Sequence, residues 1–301
     1  MTRAGAALVV LAFAVMGTAE AQDLEPRAYS NTPVGMNFLI LGYAYSQGDV
    51  TSDSSSPIKD AELTVHTAFL AYARSLDVWG RSGKLDVVLP YAWVSGTAKV
   101  AGELRDREVS GFGDPRLRFS VVLYGAPALS LAEFADYTPD LLIGGSLAVT
   151  LPVGQYDSDK LVNIGTNRWS VKPELGISKT LGPWTLELEG SATFYTDNHD
   201  FFGGQTLEKA PLYAVQGHVI YHTRFGLWAA VDATYYAGGR TTIDGEPGER
   251  PENLRVGATL AIPVDRRNSI KLYGSAGAIA RAGGNFTTVG IAWQFRWGGG
   301  L

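Results

Sequence analysis

The chain has 301 residues, a formal net charge of −5 and no cysteine. These facts exclude a disulfide framework and a thiolate metal site. They also argue against nucleic acid as a partner, because phosphate contacts need clustered Lys and Arg.

Residues 1–21 read as a cleavable secretory leader. Arg3 supplies the charged start, Ala4 to Met16 the apolar run, and Ala19-Glu20-Ala21 a small-x-small site, with cleavage expected before Gln22. Residues 22–301 then form one domain. No later run approaches the roughly 18 apolar residues a membrane helix needs. The composition of 36 Gly, 14 Tyr, 12 Phe and 7 Trp instead suits many strands joined by turns.

About twelve strand-like segments follow, near 36–46, 63–75, 83–95, 113–124, 140–151, 168–180, 184–196, 211–222, 225–238, 252–263, 268–281 and 286–297. The alternation is clearest where Trp184, Leu186, Leu188, Ala192 and Phe194 interleave with Thr185, Glu187, Glu189, Ser191, Thr193 and Tyr195. A strand sends successive side chains to opposite faces, so one face is apolar and the other carries carboxylates. Short connections at 181–183, 223–224 and 264–267 alternate with long polar ones at 48–62, 96–110, 152–167, 197–210 and 239–251. That pattern predicts an all-β fold: a transmembrane up-and-down antiparallel barrel of about twelve strands, with short periplasmic turns and long extracellular loops. One connection is unusual. Gly125 to Pro139 falls at a short-turn position yet contains Leu129, Leu131, Phe134 and Tyr137, and reads as a short amphipathic helix beneath the barrel or partly in its mouth. A longer turn with one helical turn is the alternative, preferred to a plug.

Parity assigns the lumen. Trp228, Asp232 and Tyr236, then Arg255 and Tyr273, fall inward, as do Glu187, Glu189, Tyr195, His218 and His222. Earlier strands add Asp114, Arg116, Arg118 and Glu174, along with Arg74, Lys84, Asp86 and Lys172. Outward fall Leu254, Val256, Leu260, Val289, Ile291 and Trp293. Asp114, Arg116 and Arg118 are either a charged constriction or salt bridges bracing the wall. His218 and His222 share a face, but on a strand they stand about 13 Å apart, too far for one metal ion; they read as lumen hydrogen-bonders. The loop from Tyr195 to Asp200 is rich in oxygen ligands without the ordered spacing of a calcium loop, and reads as a hydrated loop. No Gly-x-Ser-x-Gly elbow is present. A barrel hydrolase could still assemble Ser191, His218 or His199 with an Asp, but the sequence prefers no trio, and no catalytic residue, metal or cofactor is assigned. Trp228, Tyr236, Tyr273 and Tyr195 either offer a surface along which an apolar ring slides or fill a narrow bore.

The motifs also carry a resemblance. Asn163-x-Gly165-x-Asn167-Arg168-Trp169, followed by Lys172-Pro173-Glu174-Leu175-Gly176-x-Ser178-Lys179, resembles the phenol meta-pathway degradation family of Gram-negative outer-membrane proteins. Gly113-Asp114-Pro115-Arg116 and the closing Gln294-Phe295-Arg296-Trp297 support it. The resemblance implies a barrel tied to the uptake of aromatic compounds, and no catalytic residues. The expected function is passive passage of small, apolar or aromatic solutes. A barrel-embedded hydrolase acting on lipids and a closed structural barrel are the alternatives. Expected partners are outer-membrane lipid, a small-molecule solute and, during biogenesis, the barrel-assembly machinery, for which Trp297 is the candidate signal. No nucleic acid is expected.

Overall fold

A computed structural model describes residues 25–51, 58–100, 103–280 and 283–301; the expected leader, 1–21, lies outside them. The elements in chain order are β1 (Met36–Thr51), β2 (Ile58–Val78), β3 (Arg81–Val100), β4 (Glu103–Phe112), β5 (Arg116–Tyr124), α1 (Leu131–Phe134), β6 (Leu141–Thr150), β7 (Ser170–Leu181), β8 (Trp184–Tyr195), β9 (Asn198–Phe201), β10 (Gln205–Lys209), β11 (Leu212–His222), β12 (Trp228–Gly238), β13 (Thr241–Ile243), β14 (Glu246–Pro247), β15 (Glu252–Pro263), β16 (Asn268–Ala280) and β17 (Gly283–Gly298).

The wall is antiparallel and closes on itself. β1 pairs with β2 on one side and with β17 on the other, while β2 pairs with β3. β4 and β5 together make one span. β3 pairs with β5 from Gly83 to Val88 and with β4 from Tyr91 to Val100, so the wall has twelve spans. Closure pairs the first span with the last, as strands in lipid require, and among the described residues β4 alone in the wall has a partner on one side only.

Exposure follows the expected parity on β8 and corrects it on β2, where Arg74, expected inward, is exposed and shares the outward face with Leu70 while Ala71 and Ala73 are buried. On β8, Leu186 and Leu188 are 43% and 54% exposed, whereas Glu187 and Glu189 are 6% and 5%. Aromatics ring the outer surface at two levels. Near the periplasmic turns Trp184 packs on Tyr221, and Trp293, Phe295 and Trp297 stack in series. Higher up, Tyr91 meets Trp93 and Phe112.

Two expectations change, and a third resolves to one of its alternatives. The stretch 96–110 is mostly not a loop, because β3 and β4 continue the wall through it as a hairpin. The strand expected over 113–124 starts at Arg116, since Gly113-Asp114-Pro115 breaks the ladder where Pro115 has no N–H to give. The segment 125–139 holds a single turn of helix, Leu131–Phe134, with no buried residue. Its start is set by a capping box. The Ser130 hydroxyl accepts from the Glu133 N–H, and the Ser130 hydroxyl and N–H donate back to the Glu133 carboxylate. Those two bonds hold the Glu133 carboxyl below its ordinary pKa.

The long loops are built, not loose. β9, β10, β13 and β14 form a second, four-stranded sheet over the extracellular end. Its core is Phe201, Leu207 and Ile243, against which Leu161 of the β6–β7 loop packs.

Candidate functional site

The lumen is where the inward parity converges, and its two halves differ. From the middle down, cross-strand neighbours form a polar belt. Asp86 stands opposite Arg118, Ser146 opposite Glu174, Ser178 opposite Glu187, and Glu187 opposite His218. His218 in turn faces Asp232, and Thr234 faces Arg255.

Into this belt runs the chain ahead of β1. Glu25 meets the Arg118 guanidinium at 3.0 Å, and Arg118 also holds Asp86 at 3.1 Å. The Arg27 backbone N–H donates to Glu187 at 2.7 Å, while its guanidinium lies over the Trp228 ring at 5.4 Å. Lys84 donates to the Ala28 carbonyl at 3.2 Å. Tyr29 donates to Glu174 at 3.2 Å. Its ring occupies a slot made by Gly144 and Gly176, which are register partners on β6 and β7. A Cβ on either would come within 2.1 or 2.3 Å of that ring, so only glycine leaves the slot open. Val34 and Gly35 tie the segment to Leu129 and Ser75 as it turns into β1.

The extracellular half is apolar along β2, β3, β4 and β17, whereas across from them Arg168 and Lys209 stand over Tyr195. Leu63, Ala92, Val94 and Phe286 form a buried cluster joined by Val65 and Val109, all on the inward face by register. The β6–β7 loop folds onto them, adding Leu161, Val162 and Ile164. Asp114 is the anchor for that loop. Its carboxylate accepts from the Gly154 N–H at 2.8 Å and from the Thr166 N–H and hydroxyl at 2.7 Å each. Asn163 pins the loop internally by donating to the Asp157 and Lys160 carbonyls.

The sequence-predicted lumen residues therefore fall into separate groups. Arg118, Glu174, Glu187, Glu189, His218 and Asp232 share the belt. Arg116 and Glu189 also line a small cavity with Arg118, Lys172 and Glu174. Asp114 lies away from them, at the loop anchor. Arg255 donates to Ser275 at 2.9 Å. His222 meets the Thr185 hydroxyl at 3.2 Å near the periplasmic end.

The four inward aromatics do not form one continuous surface. Tyr195 and Tyr236 pack with Leu212, and Tyr195 is faced by Arg168 at 5.2 Å and Lys209 at 4.4 Å. Tyr273 neighbours Lys271 on β16, and Trp228 is covered by Arg27. Ser191 stands opposite Ala214, and exposed His199 is within 3.5 Å of Thr206. The residues sequence reasoning missed are Glu25, Arg27 and Tyr29 in the lumen and Leu161 and Ile164 in the loop. The paired inward glycines 144 and 176 were the available signal for an inserted ring.

The solved structures resembling the chain are outer-membrane barrels. The COG4313 outer membrane channel from Pseudomonas putida F1 superposes with a TM-score of 0.78 at 23% identity, covering 91% of this chain and 100% of that one. The transport unit of the Escherichia coli autotransporter AIDA-I gives 0.53 at 10% identity, covering 91% and 92%. The β domain of the Bordetella autotransporter BrkA gives 0.53 at 12%, covering 88% and 100%. These likenesses concern the fold. No curated protein matches the sequence. Residues 44–295 match the family described as "Putative MetA-pathway of phenol degradation", and the chain belongs to that family.

Proposed function

We propose that the chain is a passive outer-membrane channel for small apolar or aromatic solutes in a Gram-negative bacterium. In this reading a leader over residues 1–21 exports it and barrel-assembly machinery inserts it. The observation that carries the proposal is an apolar surface on the wrong side of a barrel wall. Leu63, Val94 and Phe286 face the lumen, where a water-filled bore would have polar residues. A ring-shaped solute entering between the loops exchanges contacts with Leu161 and Ile164 for contacts with that wall. Twelve spans make a narrower bore than the roughly 16–18 of general porins, which favours selective passage. Membership of a family described by phenol degradation supports the same reading, as does a fold shared with a Pseudomonas outer membrane channel. Transport along the axis requires both fillings, residues 25–35 and the β6–β7 loop, to move.

Those fillings favour a second reading, a closed structural barrel. Planar-bilayer recording, paired with uptake of a hydroxybenzoate into liposomes, separates the two. The channel reading predicts discrete current steps and aromatic uptake faster than that of a sugar of similar mass. A barrel whose folding is verified by heat-modifiable gel mobility, yet silent and impermeable to the aromatic acid, overturns it.

A further inference from the structure

The geometry points to a divalent-cation site in the lumen, formed by Glu187 and Glu189 of β8 and His218 of β11. Antiparallel register sets His218 opposite Glu187, with Glu189 two positions along on the same inward face. One ligand atom from each of the three lies within 4.8 Å of the others. All three side chains are removed from solvent, at 6%, 5% and 2% exposure.

The distribution of charge singles out Glu189. Asp86 and Glu25 share Arg118, and Glu174 has Lys172 at 3.1 Å. Glu187 accepts from the Arg27 N–H and from Ser178 at 3.0 Å. Among the described residues Glu189 has no salt bridge, and its Oε1 is buried with no hydrogen-bond partner. A buried carboxylate oxygen without donor or cation is costly, and a cation satisfies it directly.

His218 is held as metal-bound histidines are. Its Nδ1 lies 2.5 Å from the Asp232 carboxylate, which also takes the Thr259 hydroxyl at 3.4 Å. A carboxylate on one ring nitrogen fixes the orientation and raises the basicity of the other. That nitrogen now meets the Gln216 amide at 2.9 Å, a contact the ion would replace. One imidazole with two carboxylates suits Zn²⁺ better than Ca²⁺, which takes six to eight oxygens. Because Glu187 also holds the Arg27 backbone, a bound ion joins the wall to the inserted N-terminal segment. The site does not depend on which solute crosses the barrel.

The test uses the mature chain folded in detergent, stripped with chelator and titrated calorimetrically with Zn²⁺ or Ca²⁺, then read by zinc X-ray absorption. The expected result is saturable binding of one Zn²⁺ per barrel, a nitrogen–oxygen shell containing imidazole, and weaker Ca²⁺ binding. Glu189→Gln and Asp232→Asn weaken Zn²⁺ binding, the latter on the order of 10–100-fold, while His199→Ala in the exposed loop leaves it unchanged. Absence of stoichiometric Zn²⁺ binding, binding lost in His199→Ala, or binding unchanged in folded Glu189→Gln overturns the site. If Glu189→Gln fails to fold, the absorption spectrum of the unsubstituted protein decides: a shell without imidazole overturns the site.

Discussion

The two halves of the lumen are filled by different physics. Toward the periplasm, residues 25–35 enter a wall of charged side chains and are held by directed contacts, namely Glu25 to Arg118, the Arg27 N–H to Glu187, and Tyr29 to Glu174. Toward the outside, the β6–β7 loop lies on Leu63, Val94 and Phe286 and is held by apolar burial, with Asp114 pinning its ends. Charge pairs in a dry interior are exacting, because losing one partner strands the other. Apolar contacts tolerate changes of shape that keep volume. The periplasmic filling therefore behaves as a lock and the extracellular one as a cushion.

That contrast orders the expected effects of substitution. Arg118→Ala strands both Glu25 and Asp86 and is expected to cost about 3–5 kcal/mol, measured as a shift in the urea unfolding midpoint in lipid. It also raises single-channel current by releasing the N-terminal segment. In the apolar half, Leu161→Ala is expected to cost about 2 kcal/mol, whereas Leu161→Met costs less than about 1.5 kcal/mol; equal losses would erase the distinction between the halves. Gly176→Ala places a methyl group where the Tyr29 ring sits, and overpacking of this kind costs about 1–3 kcal/mol. Its sharper signature is electrical: current rises, and it rises further with Gly144→Ala added. At the bottom of the scale, Ser130→Ala loosens only the exposed helical turn beneath the barrel and leaves the current unchanged.

The wall was legible because its code is local. Period-two alternation names the face of Glu187 or Leu188 without reference to any partner, and lipid on one side enforces it along every span. The charged belt follows from the same parity, which is why Arg118, Glu174, His218 and Asp232 could be placed inward from the sequence. What fills the bore was not legible. Residues 25–35 show no periodicity, and their partners lie far away, with 160 positions separating Arg27 from Glu187. The β6–β7 loop reads as polar, because Asp157, Asp159 and Asn163 dominate its composition while Leu161 and Ile164 do its packing. The interior of the extracellular half escaped for a related reason. Leu63 and Val65 alternate with Glu62, Thr64 and His66, so alternation read locally sends the polar residues inward, the reverse of what the register shows. The partnership of Glu189 with His218 needed cross-strand register, which turn lengths alone did not fix.

Seating of the N-terminal segment inside the barrel is the feature on which the lock depends. The chain has no cysteine, so a single Ala28→Cys thiol reports its position. Ala28 is buried at 7% exposure and Val153, on the extracellular loop, is 68% exposed. With a charged, membrane-impermeant thiol reagent on the folded protein, a seated segment predicts that Ala28→Cys reacts orders of magnitude more slowly than Val153→Cys and speeds up when Gly176→Ala is added. Equal rates at the two positions in the otherwise unchanged chain would contradict it.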